Sequence, residues 1–215
     1  MSTTTLAPDA VQQQIAPMID EMIAQLPDPK SLTPEQRRGI IARYAAVLEP
    51  NFIYWMTASM MAAKAEEVGP IIMENLHEEI TESHPVMLRK FTVAAKAYPS
   101  ESDAMAVDPD LTKMRLFLGQ LNGVKSLVTM AFFEGYIQKF MPYLAELADW
   151  QGSSEKVYTD VHGVCDVEHS AELFRAVQLE IAKNPPSQGD DIFEGVTLLR
   201  RLINTIIDGP VQKAA

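Results

Sequence analysis

The chain has 215 residues, 47% of them apolar and 22% charged, enough for one globular domain with a real core. Its net charge of -11 offers nothing to displace counterions from a phosphate backbone, so a nucleic-acid partner is excluded. A single cysteine, Cys165, rules out an internal disulfide framework and fits a reducing compartment.

In chain order, Val11, Ile15, Met18, Ile19, Met22 and Ile23 form one apolar stripe at helical spacing. The stretch before them, "MSTTTLAPDAVQQQ", lacks a basic n-region and an apolar h-region, so no signal peptide is expected. "TPEQRRGIIARYAAVL" opens a second helix, with Thr33 as N-cap, Pro34 in the first turn and Gln36 closing a capping box. The most apolar run, "FIYWMTASMMAA", is 12 residues and falls short of the roughly 20 needed to span a bilayer. A cytoplasmic protein without a membrane partner is expected.

"ENLHEEITESHP" follows, rich in Glu and carrying His77 and His84. Most of those charges are expected on a solvated face, His77 among them. "DPDLTKMRLFLGQL" predicts a helix capped by Asp108, with Pro109 in its first turn. "SLVTMAFFEGYIQKFMPYLAELADW" predicts a long buried helix with Glu134 in its middle. A carboxylate among such neighbours is costly unless paired or bound to a cation. Two more helices cover "SEKVYTDVHGVCDVEHSAELFRAVQLEIAK" and "IFEGVTLLRRLINTIID", separated by the break "NPPSQGD". No run alternates with period two for long enough to make a strand. The expected fold is therefore an all-α bundle of about seven or eight helices in one domain over 1–215, with 1–8 and 210–215 frayed.

The chemistry concentrates in "HGVCDVEH". His162, Asp166 and His169 stand at i, i+4 and i+7, one face of a helix over two turns. Imidazole nitrogen with carboxylate oxygen suits iron, zinc or manganese. The competing explanation is a wet face on which Asp166 merely orients a histidine. Glu168 and Glu172 lie off the stripe and are expected in water, and Cys165 is expected as small core packing. Glu134, together with one Glu and one His from "ENLHEEITESHP", would complete six N/O ligands projecting inward from facing helices.

This set resembles the haem-oxygenase-like diiron oxidases and oxygenases, a family related in fold to TenA and PqqC, to which the chlamydial death-domain-associating protein belongs. "NLHEE" is similar to the family's "NLxDE", His84 to the His that opens the next helix, and Glu134 in "FFEGYI" to the mid-helix Glu. HxxxDxxH matches without gaps, and the resemblance spans about residues 30 to 180. It implies a haem-oxygenase-like bundle with metal ligands Glu79, His84, Glu134, His162, Asp166 and His169. Glu78 remains an alternative to Glu79, because "ITES" replaces the family's usual Gly and the segment before His84 is short. Glu49, followed by Pro50, is a further carboxylate of the kind some members add from an earlier helix.

The implied cofactor is a pair of iron ions with O₂ as cosubstrate, and Mn or Zn fit the same donors. The implied activity is oxidation of a small amine- or amino-acid-derived substrate in natural-product biosynthesis, by N-oxygenation or oxidative C–C or C–N chemistry. An external electron donor is admitted, as is a homodimer. Position alone puts Tyr44, Tyr54, Trp55, Met56, Phe133 and Tyr136 near the pocket, with Tyr54, Phe133 and Tyr136 as its candidate wall and plain core as the competing reading. Two other functions stay open: a metal-free TenA- or PqqC-like enzyme, for which Cys165 inside the motif is poorly placed as nucleophile, and a non-enzymatic interaction protein.

Overall fold

The computed structural model describes residues 10–209, apart from the side chains of 164–167. The expectations for 1–8 and 210–215, for Cys165 as core packing and for the Asp166 carboxylate lie outside the described residues. Eight α-helices and one 3-10 turn, and no strand, are present among the described residues. They are α1 (Ala10–Ala24), the turn Pro29–Ser31, α2 (Pro34–Ala62), α3 (Val68–Thr81), α4 (His84–Ala94), α5 (Glu101–Leu118), α6 (Gly123–Trp150), α7 (Val157–Lys183) and α8 (Glu194–Asp208). No described helix is long and apolar enough to cross a membrane.

α6 is the axis. Every residue from Ala131 to Ile137 is buried, which one helix achieves only when others surround it. α7 lies along one side of it, and α1, α2 and α8 cover the rest. Phe140 shows how the layers close: its ring sits 5.7 Å from Tyr44 of α2 and 5.4 Å from Tyr136 one turn back. Burying one such aromatic side chain contributes about 2–3 kcal/mol.

α2 starts as its sequence predicts. Thr33 Oγ1 accepts from Gln36 N at 3.2 Å, and Gln36 Oε1 accepts from Thr33 N at 2.8 Å. The helix then runs through Pro50 to Ala62, so Glu49 sits inside one continuous 29-residue element. α5 differs from expectation. Its N-cap is Ser100, closed into a capping box by Asp103, and Asp108 and Pro109 stand mid-helix. Pro109 breaks nothing because it and Met105 are exposed, and water can take the Met105 carbonyl that the proline leaves unpaired.

The joint between α3 and α4 matters most for the site. Pro85 stands in the first turn of α4, where its missing N–H leaves no helical hydrogen bond unmade. Ser83 turns the chain with φ 61° and ψ 41°, a left-handed conformation that costs a non-glycine residue about 1 kcal/mol. The result is a tight reversal that sets the last turn of α3 against the first residue of α4.

Candidate metal centre

The reversal at Ser83 brings Glu79 and His84 face to face, with His84 Nδ1 2.8 Å from Glu79 Oε1. Both side chains are buried. His84 Nε2 reaches Glu82 Oε2 at 3.3 Å on the outer side. Such an outer carboxylate fixes ring orientation and leaves the inner nitrogen for the site.

α7 presents His162 from the opposite wall. Its Nδ1 lies 2.8 Å from the Tyr158 carbonyl one turn back. A carbonyl only accepts, so Nδ1 carries the hydrogen and, in the neutral ring, Nε2 holds the lone pair. That Nε2 points to Glu79 Oε1 at 3.7 Å. The two imidazoles meet edge to face with centroids 4.6 Å apart, and the Tyr158 ring covers His162 at 4.2 Å. One potential ligand atom from each of Glu79, His84 and His162 falls within 4.8 Å of the others.

Glu134 of α6 completes the floor. It is 2% exposed, lines the same pocket, and keeps Oε1 without a hydrogen-bond partner. Burial pushes its carboxyl up to about 8, the facing Glu79 charge adds to the rise, and a hydrogen bond from Asn75 offsets part of it. Glu79 goes the other way. Burial opposes its charge, but the imidazoles of His162 and His84 outweigh that and hold it at about 2. For His84, burial works against the imidazolium, yet Glu79 and Glu82 raise its pKa above the ordinary value. One ionised carboxylate, one protonated carboxylate and two imidazoles therefore share a small, mostly apolar pocket whose cavity is about 30 Å³. Glu180 of α7 is also fully buried and also has one oxygen without a partner, but its other oxygen accepts from Lys64 N and Ala65 N at 2.9 Å each. That carboxylate ties α7 to the end of α2; Glu134 has no comparable backbone role.

The remaining candidates are placed differently. His169 is buried two turns along α7 from His162, and its Nε2 lies 2.9 Å from Glu78 Oε2. It lines a neighbouring cleft between α3 and α7. Adjacent residues on α3 thus serve the two histidines separately, Glu79 facing His162 and Glu78 facing His169. Glu49 lines the pocket edge, where its Oε1 accepts from Arg89 Nε at 2.9 Å. None of Tyr54, Phe133 and Tyr136 lines the pocket: Tyr54 is 46% exposed, Phe133 packs on Trp55, and Tyr136 stacks between Phe132 and Phe140. Leu48, Phe52, Ile53, Leu88, Ile137 and Tyr158 supply the wall instead. His77 is exposed, as expected.

Asn75 escaped the sequence reading. It stands one turn before Glu79 on the same face of α3, is buried, and lowers the pKa of the Glu134 carboxyl. The signal available was its i−4 spacing from Glu79.

A buried carboxylate oxygen with no partner, facing two imidazoles and a second carboxylate, fits a hard divalent cation bound by mixed nitrogen and oxygen donors. A family model described as iron-containing redox enzyme matches residues 41–203, from α2 into α8, and spans all of these side chains. The chain belongs to the iron-containing redox enzyme family. The fold is accordingly a haem-oxygenase-like all-α bundle, and the coarse activity is that of an iron-containing oxidoreductase. No curated protein and no solved structure matches the chain. Among the described residues, Glu79, His84 and His162 form a buried group that could hold a metal ion, and Glu134 lines the same pocket.

Proposed function

We propose that the protein is a non-haem diiron oxygenase or oxidase that uses O₂ to oxidise a small amine- or amino-acid-derived substrate, in N-oxygenation or oxidative C–C or C–N chemistry. The observation that carries this reading is the Glu134 oxygen, buried and unpartnered beside Glu79, His84 and His162. Such an atom costs roughly 1–3 kcal/mol unless something satisfies it.

Glu79, His84, Glu134 and His162 would hold one ion, and Asp166 and His169, with Glu78 in reach, would hold the second. Iron bound there supplies coordination positions and the electrons that reduce O₂. Glu79, ionised and pinned between two imidazoles, provides fixed negative charge without rearrangement. Glu134 must release its proton for a cation to bind, and Asn75 then keeps the carboxylate oriented. Tyr158 holds His162 in the tautomer whose Nε2 faces the pocket. The walls contributed by Leu48, Phe52 and Ile137 limit water. Operation in the cytoplasm with an external electron donor completes the proposal.

Metal analysis of protein expressed in iron-rich medium tests it. About two irons per chain are expected, and none, or Mn or Zn alone with no O₂ consumption, defeats the reading. Variants grade the assignment. Glu134→Ala, His162→Ala and His169→Ala should each bring iron down from two to about one or less per chain. Unchanged helical circular dichroism in all three separates loss of metal from loss of fold.

A further inference from the structure

The inner pocket, about 30 Å³, holds only one or two waters. An organic substrate cannot sit there whole. Directly outside lies a groove of about 640 Å³ along the seam between α2 and α3. That volume is within the range of small-molecule sites. Ile53 belongs to both walls, inner pocket on one side and groove on the other.

Ile53, Thr57 and Met60 of α2 and the face of α3 from Pro70 to Ile80 line the groove, while Glu49, Ile53 and Glu79 line the inner pocket. The seven helical rises from Ile53 to Met60 make the groove about 10 Å long. Its floor and sides are Thr57, Met60, Pro70, Met73 and Ile80, and only Glu74 and His77 bring charge or polarity to the rim. Met73 is 53% and Ile80 59% exposed, so the groove is edged by uncovered apolar side chains.

Resting on the proposed function, we infer that this groove binds the body of the substrate, an extended apolar chain or ring system about 10 Å long. Its oxidisable, amine-bearing end passes Ile53 to reach the Glu79–His84–Glu134–His162 cluster. A protein partner laid across the strip would cover Met73 and Ile80 but would leave unexplained why Ile53 lines both the groove and the buried pocket.

Calorimetric titration of the full-length protein with 1-octanol tests the apolar subsite alone, because the probe is neutral and carries no group for the metal. A 1:1 complex is expected, at least ten-fold tighter than with 1-propanol. Thr57→Trp, which fills the groove, and Met73→Gln, which makes its wall polar, should each weaken octanol binding at least ten-fold. Met105→Gln, exposed on α5, should leave it unchanged. Glu134→Gln should bind octanol like the wild type while losing iron, so failure of the metal reading and failure of the groove reading are separately visible. Equal affinity for octanol and propanol, or no loss in both groove variants, overturns the inference. So does a wild-type dimer by sedimentation velocity that Met73→Gln dissociates, which would make the strip a contact between copies of the chain.

Discussion

At the scale of single residues, Glu134 and Glu79 titrate in opposite directions, and this has a consequence for stability. An unfolded glutamate ionises near 4.3. Glu134 is pushed up to about 8, so its contribution to the metal-free protein is full below the unfolded value and is lost as pH rises through about 8. Glu79 is held at about 2, so its contribution is present above the unfolded value and lost as pH falls through about 2. Thermal unfolding in the presence of chelator should therefore show a melting temperature that declines from pH 5 to pH 8. Glu134→Gln, uncharged throughout, should lack that part of the decline and exceed the wild type at pH 8. A wild type and variant that run parallel over this range would remove the buried acid from the account. Glu134 and the two motif histidines were legible in sequence because their identity betrays them: a carboxylate in an apolar helix, and imidazoles two turns apart. The pairing of His169 with Glu78 and the influence of Asn75 on Glu134 were not, because both depend on how α3 is rotated against α6 and α7.

At the scale of elements, the α3–α4 joint sets the site. Inserting one alanine after Glu82 would lengthen the joint that Ser83 closes and move His84 away from Glu79. Helical content by circular dichroism should hold, whereas iron uptake should fall below one ion per chain. Ser83→Gly, which removes the left-handed strain, should stabilise the fold by up to about 1 kcal/mol in urea unfolding and leave iron uptake intact. Loss of iron in Ser83→Gly would mean that the joint does not position His84 as described. Helix starts such as Thr33 were legible, because a cap and its reciprocal partner lie within four residues. Asp108–Pro109 misled for the same local reason. A proline on an exposed helix face imitates a first turn, and only the path of the neighbouring chain shows that the helix began at Ser100. Pro50 hid the continuity of α2 in the same way, and with it the reach of one helix from the capping box to the groove.

At the scale of the whole molecule, four helices contribute to one centre: α3, α4, α6 and α7 each supply a side chain to the Glu79–His84–Glu134–His162 cluster. A cation bound there must stabilise the entire bundle, since unfolding disperses its ligands. Ferrous ion at 100 times its dissociation constant should add about 2.7 kcal/mol. For a chain of this size that raises the melting temperature by roughly 5–10 °C. Glu134→Gln should show no comparable rise, and a wild type indifferent to ferrous ion would argue against a shared centre. The all-α class was legible because every long apolar pattern has helical period. The groove was not, because it exists only where faces of two helices, residues 53–60 and 70–80, pack side by side.

Anomalous diffraction at the iron edge, from crystals of the full-length protein grown anaerobically with ferrous ion, tests the central claim most directly. A peak within bonding distance of Glu79, His84, Glu134 and His162, with a second one nearby toward His169, is the predicted result. Iron absent from that pocket while bound elsewhere on the chain, or no anomalous density beside Glu134, would contradict the account.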